Sequence, residues 1–383
     1  MQSFADHLAG QGHDVTVITE FPNHPRGVIP SAYDGRLVED DRSNAYRVLR
    51  VWVRASSQKT QRTRMEFYLS FMALATLVAP KVGRADVVVA TSPPLFAGLA
   101  GAAIARMMNA RFVLDVRDLW PAAAISLGQL SNATAARGSE MVERMLYQEA
   151  AAVITVTRPF CDHIDAIRAA PPATVHLPNG TLAQFFDADS GDARQRLGVS
   201  ETAFLATFAG NFGIAQSLGT VLDAAELTGP EVEFALVGEG PIRDALVADA
   251  TARDLKNVHF HPQVPLDRVP PLLAASDALL VPLSGHPTFS DFVPSKMIDF
   301  MASGRPVVLS AAGEPARILE ASGGGIAVAP EDPRALADAL LRLKADPRAA
   351  QLMGQRGRNF ARGRLRSSQA ERLEALLLDL VSR

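Results

Sequence analysis

Cysteine is almost absent from this chain. Cys161 stands alone among 383 residues, which excludes an internal disulfide and any site built from thiolates alone. Aromatic residues are sparse, at 6%, and offer little for stacking single-stranded bases. Neither sign of charge dominates. The 38 Lys and Arg stand against 41 Asp and Glu, a net −3 that argues against a globally basic nucleic-acid binder. An unbroken membrane-spanning run is also lacking. The uncharged stretch 87–105 contains Pro93 and Pro94, which would break a spanning helix. Residues 67–80 are too few to cross roughly 30 Å of hydrocarbon. The first fourteen residues include Asp6, His7 and His13 and have no apolar core of a secretory signal. These absences point to a cytoplasmic protein with no nucleic-acid partner, and they leave attachment to the inner face of a membrane open.

What is present is an alternation of short apolar runs with helix-like stretches, in a composition 48% hydrophobic. Strands are expected at 15–19, 48–53, 87–90, 112–114, 153–156 and 175–177. After Pro178-Asn179-Gly180 the rhythm restarts, with strands expected at 204–209, 233–237, 258–260, 278–281, 307–309 and 325–328. Continuous Val, Ala and Leu strands flanked by helices imply parallel sheets buried on both faces. The expectation is an α/β protein of two doubly wound Rossmann-like domains, residues 1–180 and 181–366, with ligand in the crevice between them. Residues 367–383, with Leu373, Leu376, Leu377, Leu380 and Val381 at helical spacing, are expected to pack back on the first domain.

The sharpest chemistry lies in the second half. Phe208-Ala209-Gly210-Asn211-Phe212-Gly213 ends a strand with two glycines, and Gln216 follows. Glycines there let backbone N–H groups approach a phosphate, although a plain strand–turn–helix junction has the same appearance. Val237-Gly238-Glu239-Gly240 is a second turn of this type. The third element runs Asp291-Phe292-Val293-Pro294-Ser295-Lys296-Met297-Ile298-Asp299. Pro294 suits the start of a helix, so Asp291 precedes the helix and Asp299 lies on it. A loop acid and a helix acid can hold two hydroxyl-bearing parts of one ligand, while the helix N-terminus and Lys296 attract phosphate. The plainer reading is a capped surface helix with two solvated acids.

Taken in order, these segments resemble the donor half of a family 4 glycosyltransferase of GT-B architecture. Asp291-x7-Asp299 is similar to the family's Glu-x7-Glu element, with both acids shortened. Gly210 to Gln216, Gly238-Glu239-Gly240, Glu314-Pro315 and Gly323-Gly324-Gly325 follow in the family's order. The resemblance implies a nucleoside diphosphate sugar as donor, a uridine diphosphate sugar foremost, retention at the anomeric carbon, and no cofactor or metal ion. It implies that Asp299 binds ribose hydroxyls, that Asp291 binds the transferred sugar, and that the backbone of Phe292, Val293 and Pro294, with Ser295 behind it, meets the diphosphate. Where many members carry an arginine and a lysine on the glycine loop, this chain has Asn211 and Gln216, which leaves Lys296 as the candidate cation, assisted by helix dipoles.

In the first half, Asp115-Val116-Arg117-Asp118-Leu119-Trp120-Pro121 is unusually polar for a strand end. With Thr91-Ser92-Pro93-Pro94 it resembles the L-fucosamine transferase-like subgroup of surface-polysaccharide enzymes, which implies a glycan or lipid-linked acceptor. Arg117 and Asp118 are the candidate acceptor-side pair, and a structural ion pair is the plainer reading of them. Arg42, Arg47, Arg50, Arg54, Lys59, Arg62 and Arg64 form a basic run before the short apolar stretch from Phe67 to Leu74. Basic flank plus apolar helix, across 42–80, suits an anionic membrane surface, and a buried helix behind a solvated loop is the plainer alternative. The family opens with a strand and glycine-rich loop, whereas this chain begins within the following helix. A missing first strand, as in a truncated form, is therefore expected. His259 and His261 read as structural, and Asn179-Gly180 as an inter-domain turn. Two other functions fit the same architecture: a non-catalytic sugar-nucleotide-binding subunit and a nucleotide-sugar 2-epimerase.

Overall fold

The computed structural model describes all residues except 24–26, 59, 127–129, 131, 169–173 and 383. Lys59 of the basic run thus lies outside the described residues. The chain divides into two compact units, one of Met1–Pro178 with Ser367–Arg383 and one of Asn179–Arg366.

The first unit has two sheets. Strands β1 (Thr16–Glu20), β2 (Val38–Asp41) and β3 (Arg47–Val51) form one, in the order β1-β3-β2. Strands β4 (Val87–Ser92), β5 (Arg111–Val116), β6 (Ala152–Thr155) and β7 (Val175–His176) form a four-stranded parallel sheet in sequence order. The parallel Rossmann-like pairing expected here is present, with two features that the sequence pattern does not signal. β1 and β4 are both sheet edges, and β2 pairs antiparallel with β3. Val-Glu-Asp-Asp of β2 has one apolar residue and no alternation, so its pairing comes from its neighbour. Arg47 and Arg50 on β3 meet Asp40 at 2.9 Å and Asp41 at 2.6 Å across the ladder.

That pairing also changes the meaning of the basic run. Arg42 meets Asp40 at 3.5 Å, and Arg54 and Arg62 meet Glu66 at 3.2 and 3.0 Å. Five of the arginines are thus drawn onto three acids that flank the run in sequence, and the run is not a free basic patch. The helix that follows, Gln61–Val78, buries Ala75 and Val78. No helix among the described residues is long and apolar enough to cross a membrane.

The final helix, Arg366–Ser382, places Ala370, Leu373 and Leu380 in one apolar cluster with Phe4, Val113, Ile154 and Leu177. Glu374 on the same helix is held by His7 and His13, each at 2.8 Å.

The second unit is one six-stranded parallel sheet. Its strands are β8 (Leu205–Ala209), β9 (Glu233–Val237), β10 (Val258–His261), β11 (Ala278–Pro282), β12 (Val307–Ser310) and β13 (Gly325–Val328), in the order β10-β9-β8-β11-β12-β13. Alternation along β8 explains the two apolar layers. Leu205 and Ala209 join Val281, Met297, Phe300 and Leu309 on one face, while Ala206 and Phe208 join Leu218, Val221 and Leu340 on the other. The helices Pro333–Ala345 and Pro347–Arg362 start on side-chain caps: Asp332 accepts from the Ala335 N–H and Asp346 from the Ala349 N–H, both at 2.9 Å.

Candidate active site

In the second unit the strand order runs outward from β8 in one direction and from β11 in the other. The carboxyl ends of these two strands are the topological switch point, where open α/β sheets bind ligands. The loops found there are residues 210–217 after β8 and 283–294 after β11, with the second glycine turn following the adjacent β9.

The two glycine turns are built against each other. Gly210 N–H donates to Val237 O at 3.0 Å, and Phe212 N–H to Glu239 O at 2.8 Å. Gly238 has φ +151, and a Cβ there would lie 1.9 Å from the Gly210 carbonyl oxygen. Gly210 has φ +152, and its Cβ would meet the Lys296 Nζ at 2.8 Å. Glycine at both positions thus follows from backbone conformation and close approach. Asn211 folds its amide back over Gly213, where a Cβ would lie 2.8 Å from Nδ2.

Lys296 rises from the helix Ser295–Ala302, whose N-cap is Pro294. Its ammonium donates to Gln216 Oε1 at 2.7 Å and sits 3.9 Å above the Phe208 ring. It makes no ion pair with a carboxylate among the described residues, and burial pushes its pKa down to about 7. Asp299 lies on the same helix and is 9% exposed. A hydrogen bond from Thr181 and Arg366 Nη2 at 3.6 Å compensate it in part, but burial dominates and raises its pKa to about 6. Its Oδ1 is buried with no hydrogen-bond partner among the described residues. Asp291 precedes the helix, half-buried, after the short turn Pro287–Phe289. Asn179 donates to the carbonyl of Val293 at 3.3 Å, which ties the turn at 179–180 to the loop of Phe292, Val293 and Pro294.

The structure therefore brings Gly210, Asn211, Gly213, Gln216, Gly238, Glu239 and Lys296 into one pair of packed turns and one helix end. Thr181, Arg366 and the Phe208 ring also belong to it, and sequence reasoning passed over them. Thr181 and Arg366 meet only through the bridge that pairs Thr181 with Leu365, and no local pattern signals that contact.

Arg117 and Asp118 are not brought together. Arg117 Nε donates to Asp115 at 2.7 Å, and its guanidinium lies 5.8 Å from the Phe4 ring centroid. The pair expected from adjacency is corrected to Arg117–Asp115, because residues two apart share a face at a strand end and neighbours do not. Burial raises the pKa of Asp115 despite Arg117, and raises that of Asp118, which the Leu119 N–H offsets. His259 is held by Glu233 at 2.7 Å, and burial lowers the pKa of His261.

Two Rossmann-like units, with packed glycine turns and Lys296 at the switch point of the second, define the GT-B architecture. Comparisons with known proteins agree across both units. Residues 203–346 match the family described as glycosyl transferases group 1, and residues 1–180 match the glycosyl transferase 4-like domain. The chain belongs to this family of glycosyltransferases. It is 27% identical over 315 residues to WcaI of Escherichia coli K12, named as a colanic acid biosynthesis glycosyl transferase, covering 79% of this chain and 77% of WcaI. A shorter match, 31% identical over 149 residues, is to the D-rhamnosyltransferase WbpZ of Pseudomonas aeruginosa, with 39% of this chain and 38% of WbpZ covered. In fold it is similar to sucrose-phosphate synthase from Thermosynechococcus elongatus, with TM-score 0.79, 21% identity, and coverage of 100% of this chain and 92% of that one. It is also similar to Anabaena HepE in complex with UDP-glucose, with TM-score 0.70, 16% identity, and coverage of 95% and 99%.

Proposed function

We propose that this glycosyltransferase moves a sugar from a nucleoside diphosphate sugar, with uridine as the nucleoside, to a glycan or lipid-linked acceptor of surface-polysaccharide synthesis, with retention. The observation that carries the donor reading is a single helix. Its first turn holds an ammonium with no carboxylate partner, and its second turn holds a buried carboxylate with a bare oxygen. Gln216 and Phe208 leave the Lys296 charge without a counter-charge among the described residues, and Thr181 and Arg366 compensate Asp299 only in part; a nucleoside diphosphate completes both: the diphosphate pairs with Lys296 and the helix N-terminus, and a ribose hydroxyl donates to Asp299 Oδ1. HepE, a structural neighbour solved with UDP-glucose, and WcaI, named for colanic acid, support the nucleotide and the pathway class.

The chemistry follows from charge. The bond from the anomeric carbon to the diphosphate oxygen breaks, and charge develops on that oxygen beside Lys296 and the helix dipole. The acceptor hydroxyl attacks from the face the diphosphate leaves, and its proton passes to the departing phosphate oxygen. Asp291 holds the transferred sugar, and no protein nucleophile, cofactor or metal is needed. An ammonium with pKa near 7 gains a proton when a diphosphate arrives. UDP binding at pH 7.5 is therefore expected to take up protons, seen as a calorimetric enthalpy that depends on the buffer. Lys296→Met removes that dependence and, like Asp291→Ala, abolishes donor hydrolysis and transfer. If the protein neither binds nor turns over any member of a uridine and guanosine diphosphate-sugar panel, this reading fails.

A further inference from the structure

Four described residues other than glycine have positive φ: Asn109, Ser217, Asp254 and Glu331. Asn109 closes a helix in the left-handed conformation and Asp254 follows one, positions at which Asn and Asp are tolerated. Ser217 at φ 39 closes the short turn Ile214–Gln216 in the left-handed conformation, and Glu331 at φ 58 lies in the turn after β13; neither is the Asn or Asp tolerated there, and they are bonded to each other: Ser217 Oγ donates to Glu331 Oε1 at 2.7 Å. They are 114 positions apart in the chain. Two strained backbones that meet in one hydrogen bond are over-determined by their surroundings, a condition that collects at functional sites.

The surroundings are the two switch-point loops. The Glu331 carboxylate is held below its usual pKa by hydrogen bonds from Ser217, from the Ser284 hydroxyl and from the Gly285 N–H. A Cβ at Gly285 would lie 3.2 Å from Glu331 Oε2, so the loop after β11 passes close over the carboxylate. Ser284 N–H in turn donates to Ala215 O at 2.9 Å, which joins that loop to the one after β8. Glu331 is thus bonded to Ser217 and lies under the loop at 284–285, which is itself bonded to Ala215. Gln216 lies between Ala215 and Ser217 and carries the oxygen that accepts the Lys296 ammonium.

We infer that Glu331 is a positioning residue of the donor site: through Ser217 and Ser284 it fixes the loop that presents Gln216 to Lys296, and so places the cation that meets the diphosphate. Glu331 is itself exposed and bonds to Ser217, whereas Gln216 bonds to Lys296, so its effect is exerted through the backbone. The inference rests on the transferase reading above.

The test separates placement from stability by using glycine, which adopts φ 58 without strain. Glu331→Gly in the full chain is expected to keep or raise Tm while UDP affinity falls about tenfold, the scale set by a small displacement of a binding group. Binding of uridine, which lacks the diphosphate, stays unchanged. Glu331→Gln keeps an acceptor for Ser217 and is expected to restore most of the UDP affinity. Ser217→Ala reproduces the loss, and the double variant loses no more than either single one. A Glu331→Gly protein that binds UDP like the parent overturns the inference alone. Equal weakening of uridine and UDP overturns it too, since that is what a merely structural role gives. A parent protein that binds neither UDP nor GDP overturns the transferase reading, and this inference with it.

Discussion

At the scale of single residues, the proposed donor site is a place where the protein accepts instability. Asp299 has a pKa of about 6 against an ordinary 3.8 because burial disfavours its charge. The folded protein then holds that proton more tightly than the unfolded chain, so stability falls as pH rises from about 4 to about 6 and the penalty persists above. At pH 7 it amounts to about 2–3 kcal/mol. Lys296 has the opposite sign, with a pKa of about 7 against 10.5. Its penalty is complete below about pH 7 and is relieved as pH rises towards 10. Asp299→Asn and Lys296→Met are therefore each expected to raise Tm at neutral pH by about 5 °C while weakening UDP binding. Thermal melts across pH check this: the gain from Asp299→Asn vanishes near pH 4 and that from Lys296→Met near pH 10. If both variants melt lower than the parent at pH 7, these are structural groups and not ligand groups.

At the scale of elements, the turns after β8 and β9 behave as one unit. A side chain at Gly238 must displace the Gly210 carbonyl, and the bonds from Phe212 N–H to Glu239 O and from Ile242 N–H to Phe212 O move with it. Gly238→Ala is expected to cost at least about 2 kcal/mol in denaturant unfolding. Gly138, inside the helix Ala133–Glu149 with nothing near its Cβ position, is the control, and Gly138→Ala is expected to gain about 0.5–1 kcal/mol. Equal effects at the two positions would show that the turns are not interlocked. The same turns show what a sequence reveals. Buried parallel strands are written as short Val, Ala and Leu runs, so 233–237 and 325–328 are legible to the residue. β2 was not legible, because Val-Glu-Asp-Asp takes its pairing from arginines on β3. For the same reason the basic run looked uncompensated in one dimension. Among the site groups, the glycines and Lys296 announced themselves by type and spacing. Glu331 did not, since its role comes from a left-handed backbone and a contact with Ser217 far away in the chain.

At the scale of the whole molecule, the two units are joined unequally in sequence. The second is one continuous stretch, Asn179–Arg366, and it contains every group proposed to serve the donor, from Thr181 and the glycine turns to Lys296, Asp299, Glu331 and Arg366. The first is discontinuous and needs Ser367–Arg383 to complete it. Its final helix covers Phe4, Val113, Ile154 and Leu177 with Ala370, Leu373 and Leu380, and Glu374 clasps His7 and His13 beside them. Without that helix these side chains face water, at a cost of roughly 1.5–3 kcal/mol for each large one, which is a large share of the 5–15 kcal/mol that holds a domain. The two parts should therefore behave differently when separated. A polypeptide of residues 179–366 is expected to unfold cooperatively and to bind UDP within about tenfold of the full chain, but to transfer nothing. A polypeptide of residues 1–178 is expected to melt without a sharp transition and to bind a hydrophobic dye. Adding a peptide of residues 367–383 restores a cooperative melt, and the same peptide with Leu373→Asp and Leu380→Asp does not. Loss of UDP binding by a folded 179–366 fragment would place donor-binding groups outside the second unit. A cooperative melt of residues 1–178 alone would show that the returning helix is dispensable to the core it covers.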